Sequence, residues 1–263
     1  MIAKPLSLFI AAVLWSAFPV ASAGEAGTPR NLFPVGEPNA LPSGRVRRVE
    51  MNHALEISAA LPEFDNPAIN EEIRGWLGRL LAAVLPQEGG DVARPADNAA
   101  LSIWIDYRLS QPADQAVSVV IETSWHAEGA AHPASFVDIL NFSLPDGQVL
   151  RIDTLFGDPE RALAIFAKLS PGLVAEKLRR ENPDVFADLN DPDDVWLSRD
   201  GFAPTRENYS VLGLEPGGVR VHFGEYQVLA YAFGKPDVLI PLSALAPAGP
   251  NPDIWPAGAG TAP

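Results

Sequence analysis

Between Leu101 and Trp125 an apolar residue falls at every second position in two successive runs, with a short polar break between them. Leu101, Ile103, Ile105, Tyr107 and Leu109 make the first run; Val117, Val119, Ile121, Thr123 and Trp125 make the second. A period of two puts each set on one face of an extended chain, so both runs predict strands with one buried side. The Pro112-Ala113-Asp114 connection is too short for a crossover helix. The two strands must therefore lie antiparallel as a hairpin.

The same reading extends along the chain. Val49 to Leu61 alternates like a half-buried strand. Asp65 or Asn66 can cap a helix with Pro67 in its first turn, and Ile69, Ile73, Trp76, Leu77, Leu80 and Val84 form its apolar stripe. Phe136 to Leu144 predicts a strand, Pro145-Asp146-Gly147 a tight turn, and Gln148 to Ile152 a return strand. Asp158-Pro159 and Ser170-Pro171 each pair a capping residue with a proline, which predicts a helix over 159–182 broken at Ser170. Strands at Tyr209–Leu214, Val219–Phe223 and Val238–Ile240 follow. The expected class is α+β: an antiparallel sheet built from hairpins, with two inserted helices, in two subdomains spanning 46–128 and 129–245.

The ends have a different character. Residues 1–23 carry one charge, Lys4, then an apolar run and the small-residue sequence Ala21-Ser22-Ala23, the pattern of a cleavable signal peptide. Residues 24–45 predict a flexible leader and 246–263 a disordered tail. Removing 1–23 takes the formal charge from −14 to −15. A surface of that sign repels nucleic acid and anionic lipid and attracts cationic partners. With no cysteine, there are no disulfides, thiol nucleophiles, cysteine metal sites or lipid-modified cysteine to consider. A periplasmic or secreted location is expected, with no membrane attachment after signal cleavage.

Local signatures of catalysis are absent: there is no G-x-S-x-G, H-E-x-x-H, G-x-x-x-x-G-K or S-x-x-K. His126, Glu128 and His132 are the best metal candidates, but no helical spacing aligns the two imidazoles, and no metal or other cofactor is expected. Asp184, Asp188, Asp191, Asp193 and Asp194 share a loop that lacks the glycine of a calcium site and carries Pro192 instead of a ligand, so a solvated acidic loop is expected. Glu63 and Asp65 are a candidate carboxylate pair for glycoside hydrolysis. Phe223 to Gly234 sets tyrosines and phenylalanines among glycines, a composition that suits either bent core or a recognition platform.

That last segment, FGEYQVLAYAFGKPDVLIPLSAL, resembles the end of the extracellular domain shared by RsiV-type anti-sigma factors and PdaC-type peptidoglycan deacetylases. GAAHP at 129–133, NFSLPDGQVLRIDTLF at 141–156, ENYSVLGLEPGGVRVHF and LPEFDNPAINEEI follow the same order as that domain's motifs, so the resemblance spans 46–245. Ala230 stands where that domain often has proline. The resemblance implies a non-catalytic α+β binding module outside the membrane, whose partner is a cationic lysozyme-type muramidase or peptidoglycan. It places the contacts at His132, Pro133 and Ser135 in one turn and at Glu225, Tyr226 and Tyr231 in the aromatic segment. A cell-wall hydrolase and a structural envelope protein are the competing expectations.

Overall fold

The computed structural model describes residues 47–50, 55–84, 101–130, 133–183 and 197–256. The signal-like run, the leader and the acidic 184–194 loop lie outside the described residues, as does His132. Two compact units divide the chain: Met1–Tyr107 with Thr123–Ser135, and Arg108–Glu122 with Phe136–Pro263. The expected boundary at 128/129 is thus displaced, because the turn end of the 101–127 hairpin groups with the C-terminal residues.

Five strands make one sheet in the order β1-β2-β3-β4-β5, with β1 Arg47–Glu50, β2 Leu55–Ala59, β3 Leu101–Ala113, β4 Ala116–Ala127 and β5 Ala134–Ser143. The single strand expected over 49–61 is two antiparallel strands, with Val49 opposite Ile57. Strands β2 and β3 run parallel, Ile57 opposite Ile103, with helix α1 (Pro67–Val84) between them in sequence. Strands β3 and β4 are joined by residues 114–115 alone, a connection that only an antiparallel pair allows, so the sheet combines hairpins with one parallel pair.

In the first unit the expected alternation holds. Ile103, Ile105 and Tyr107 are buried while Trp104 and Asp106 are exposed, and Ile57 joins the buried side. Helix α1 begins where Asn66 Oδ1 accepts from the Ala68 amide, with Pro67 at the first helical position. Its buried stripe is Ile69, Ile73, Trp76, Leu80 and Leu81, with Leu77 only half-buried.

In the second unit helix α2 (Ile152–Leu155) leads into α3 (Pro159–Glu181), whose first turn is capped by Asp158 accepting from the Arg161 amide at 2.9 Å. The break expected at Ser170 does not occur; α3 runs through Pro171. An interior proline costs about 3 kcal/mol. Ala162, Phe166, Ser170, Val174 and Leu178 form one straight buried stripe across that point. Burying each large apolar side chain returns about 1.5–3 kcal/mol, so packing outweighs the lost helical bond.

A second sheet, β6-β7-β8, comprises Leu212–Glu215, Gly218–His222 and Asp237–Pro241. Leu212 and Leu214 face Val221 and Val219 across the ladder, which in turn face Val238 and Ile240. All six belong to the core of this unit, with Phe166, Val174 and Leu178 of α3. Gly218 is required here: a Cβ on it would lie 2.1 Å from the Ile240 carbonyl oxygen. The return strand expected at 148–152 is reduced to one bridge, Phe142 to Val149, before α2 begins.

The tail expected to be disordered is ordered as far as residue 256. Helix α4 (Leu242–Leu245) continues into a 3₁₀ turn, and Phe156 bridges Pro250. Ile254 and Trp255 are buried; Trp255 stacks on Phe156 at 6.0 Å and donates its indole N–H to the Glu215 carbonyl at 3.0 Å. Composition misled here because two apolar anchors suffice to hold a Pro- and Gly-rich strap against a core.

Candidate partner-binding loop

The loop between β7 and β8 closes on itself. The Phe223 amide donates to the Pro236 carbonyl at 3.0 Å, so a dozen residues project from a joined base. That base is aromatic and buried: Phe223 meets Phe202 edge-on at 5.2 Å and Tyr209 at 6.0 Å, and Tyr209 meets Phe166 at 5.5 Å. Burial pushes the Tyr209 hydroxyl up to about 12, partly offset by the Ser170 hydroxyl; Tyr209 donates to the Phe202 carbonyl at 3.1 Å.

Within the loop, Gly224 to Gln227 forms a reverse turn closed by the Gln227 amide on the Gly224 carbonyl at 3.2 Å. Tyr226, the third residue of that turn, has φ of +61°, the one non-glycine with positive φ among the described residues. This is the position a type II turn normally gives to glycine. A side chain there costs about 1–2 kcal/mol. The ring is 68 % exposed and stacks on Tyr231, with centroids 5.7 Å apart and planes 27° apart. A stacked pair returns about 0.5–1.5 kcal/mol, which alone does not clearly cover the backbone strain.

The rest comes from Gln227. Its Oε1 accepts from the Gly224 amide at 2.9 Å, and its Nε2 donates to the carbonyls of Gly201 at 3.2 Å and Asn208 at 3.0 Å. Asn208 in turn donates to the carbonyls of Asp200 and Ala203. Gly201 lies in the 3₁₀ turn Arg199–Phe202, so near the loop that a Cβ on it would stand 2.0 Å from the Gln227 carbonyl oxygen. The Ser198 amide donates to the Val228 carbonyl, and Val228 and Leu229 are buried just past the turn. The tip beyond them is a 3₁₀ turn, Tyr231–Phe233, ended by Gly234 at φ +73°. Ala230, Ala232 and Gly234 are exposed.

Of the residues expected to bind a partner, the structure brings together Tyr226 and Tyr231, with half-buried Glu225 beside them in the turn. Pro133 is exposed and Ser135 half-buried, and both belong to the first unit. Gln227, Gly201 and Asn208 were not singled out from sequence. The only hint was a glutamine three residues after a glycine in an aromatic segment. Among the other chemical candidates, Glu63 and Asp65 are exposed, His126 is half-buried and Glu128 exposed. Among the described residues no three His, Cys, Asp or Glu side chains gather closely enough to hold a metal, and no helix is long and apolar enough to cross a membrane.

The most connected charges serve the second sheet. Arg220 binds Glu215 and, at 2.6 Å, Asp237; Lys177 of α3 reaches Asp237 at 2.9 Å and Glu181 at 3.5 Å. Burial raises the Asp237 carboxyl, but the hydrogen bonds and charges of Lys177 and Arg220 outweigh it and hold it below its usual range. Hydrogen bonds from Arg220 to Glu215 raise the guanidinium further. These carboxylates are neutralised by cations already in place.

Residues 154–243 match the model of a family described as a protein of unknown function, DUF3298. Over 184 residues, 70 % of its length, the chain is 29 % identical to the peptidoglycan-N-acetylmuramic acid deacetylase PdaC of Bacillus subtilis (strain 168). It spans 37 % of that relative's length. A crystal structure of a DUF3298 family protein from Pseudomonas aeruginosa PAO1 matches 82 % of this chain and 98 % of its own, with a TM-score of 0.51 at 17 % identity. A DUF3298 family member from Bacteroides fragilis NCTC 9343 matches 80 % and 94 %, with a TM-score of 0.47 at 19 % identity. Residues 154–243 thus match the DUF3298 family, the α+β fold is shared with a solved DUF3298 protein, and the chain is similar to part of a peptidoglycan-N-acetylmuramic acid deacetylase.

Proposed function

We propose that this protein is an exported, non-catalytic recognition module of the cell envelope that binds a cationic muramidase of the lysozyme type through the 223–236 loop. The observation that carries the reading is Tyr226: a large exposed ring in a strained conformation, braced by Tyr231 and Gln227. Strain of this kind persists where surrounding contacts over-determine it, and such places are often binding sites. A rigid aromatic anchor is the usual centre of a protein interface. The net charge of −14 supplies long-range attraction for a basic partner. Export rests on the signal-like residues 1–23. Similarity to part of a peptidoglycan deacetylase favours a second occupant, the cell-wall glycan itself.

Surface plasmon resonance of the purified protein against a panel of lysozymes, beside co-sedimentation with peptidoglycan, tests both. Lysozyme binding is expected to slow in association as salt rises, because screening shortens the reach of the charge. Tyr226→Ala is expected to speed dissociation and cost about 2 kcal/mol. Sedimentation with peptidoglycan but no lysozyme binding at low salt would transfer the reading to the glycan. Binding to neither would overturn it.

A further inference from the structure

We propose that Gln227 is the positioning residue of this loop: its amide holds Tyr226 outward in the left-handed conformation before any partner arrives, and so sets the loop's affinity. The proposal rests on the reading that the loop is a binding surface. It also makes a statement about the free protein that can be tested without a partner.

The Tyr226–Tyr231 stack offsets part of the strain, and the backbone restraints of the loop do not select the turn type. The Phe223–Pro236 bond joins the ends of the loop, and Val228 and Leu229 anchor the chain beyond the turn. The Gly224–Gln227 backbone bond closes the turn but does not choose its type, since a type I turn makes the same bond with negative φ at its third residue. Left to that bond alone, Tyr226 would relax to the negative φ preferred by residues with a Cβ. The ring would then leave Tyr231. The Gln227 side chain adds a restraint that the backbone bond lacks. It binds the first residue of its own turn and two carbonyls of a separate segment, so both donor hydrogens and the acceptor oxygen of the amide are used. Gly201, where any side chain would collide with the Gln227 carbonyl, lets that segment approach closely enough for the bonds to form. Gln227 acts through Tyr226, and Gly201 acts through the space that its missing side chain leaves.

If the binding-competent conformer becomes a fraction of the population, apparent affinity falls by that fraction. Two variants separate the halves of the amide. Gln227→Ala removes all three bonds. Gln227→Glu keeps the size and the acceptor toward Gly224 but cannot donate to the Gly201 and Asn208 carbonyls. In the free protein, both are expected to speed hydrogen exchange at the Gly224 and Gln227 amides at least tenfold and to weaken the near-ultraviolet circular dichroism of the tyrosine pair, with far-ultraviolet spectra unchanged. In binding to whichever of hen lysozyme or peptidoglycan the wild type takes, both should lose about tenfold in affinity. Combined with Tyr226→Ala, Gln227→Ala should cost nothing further, because a positioning residue has no effect once the residue it positions is gone. Unchanged exchange and dichroism in both variants, or an additive double mutant, would overturn the role. Absence of any wild-type binding would instead defeat the recognition reading, while exchange and dichroism would still decide whether Gln227 holds the loop.

Discussion

Two residues of the second unit sit where their chemistry is unfavourable, and they differ in what sustains them. Tyr226 is strained in its backbone and exposed in its ring, an arrangement that brings no burial of its own. His222, opposite Asp237 on β8, is 9 % exposed, and its Nε2 has no hydrogen-bond partner among the described residues. Burial lowers its pKa to about 4; Arg108 and Arg220 push the same way, while Asp237 and Glu215 oppose them. An ordinary imidazole in the unfolded chain takes up its proton near pH 6.5. Protons therefore bind the unfolded chain first, so stability is full above pH 6.5 and is lost as pH falls toward 4, by about 2–3 kcal/mol from this group. Urea unfolding at pH 7 and at pH 4.5 reads the loss, and His222→Gln should flatten the slope between them. Asp237 contributes in a lower window. Its depressed carboxyl stabilises above its unfolded value and loses that contribution only as pH drops through the lower folded value. Neither histidine nor tyrosine could be assigned such a role from sequence, since periodicity gives a face and not a neighbour.

Among the elements, β4 shows how a buried strand can mislead. Val117, Val119 and Ile121 were expected to face the core with solvent behind them, yet Ala116 through Ile121 are buried without interruption. The second face is covered too, and the polar residue on it is satisfied. The Ser118 hydroxyl donates to Asn141 Oδ1 of β5 and accepts from the Leu214 amide at 2.7 Å, while Asn141 Nδ2 donates to the Leu212 carbonyl at 2.8 Å. Three strands from two sheets are thereby tied by one serine and one asparagine. Replacing Asn141 by Ala would leave the Ser118 hydroxyl proton without its acceptor and remove the side-chain donor to the Leu212 carbonyl. The expected loss is about 2–3 kcal/mol, measured by chemical denaturation, with Asn141→Asp costing at least as much. Asn141→Ala within 0.5 kcal/mol of wild type would mean that water replaces the amide. Helix α1 was legible to its capping residue, because Asn66, Pro67 and the 69-73-76-80 spacing are local signals. Helix α3 was legible at its start and misjudged at Pro171, where long-range packing prevails over a local preference.

At the scale of the whole molecule, the C-terminal strap changes what counts as the domain. Ala248, Ile254 and Trp255 of the strap belong to the core of the second unit, with Trp255 against Phe156 and bonded to the end of β6. Trp255→Ala is expected to destabilise this unit by about 3–5 kcal/mol. Truncation before Pro250 should do at least as much, lowering the thermal midpoint of the transition. A tail that could be removed without shifting that midpoint would restore the original expectation of disorder. The strap also has a bearing on the 223–236 loop. The aromatic chain from Trp255 through Phe156, Phe166 and Tyr209 reaches Phe223, so the base of the loop is continuous with the aromatic core of the unit.

What the amino-acid order determined by itself was local and periodic: strands from period-two alternation, helix starts from caps and prolines, and the α+β class. These follow from hydrogen bonding and apolar spacing over a few residues, which any stretch of chain carries with it. Tertiary structure alone decided the parallel pairing of β2 with β3, the unbroken α3, the ordered strap and the Gln227 clamp. Each depends on contacts between residues distant in sequence, such as Gln227 with Gly201 or Trp255 with Phe156. Free energies of burial and of satisfied buried hydrogen bonds at such contacts exceed the local preferences they override.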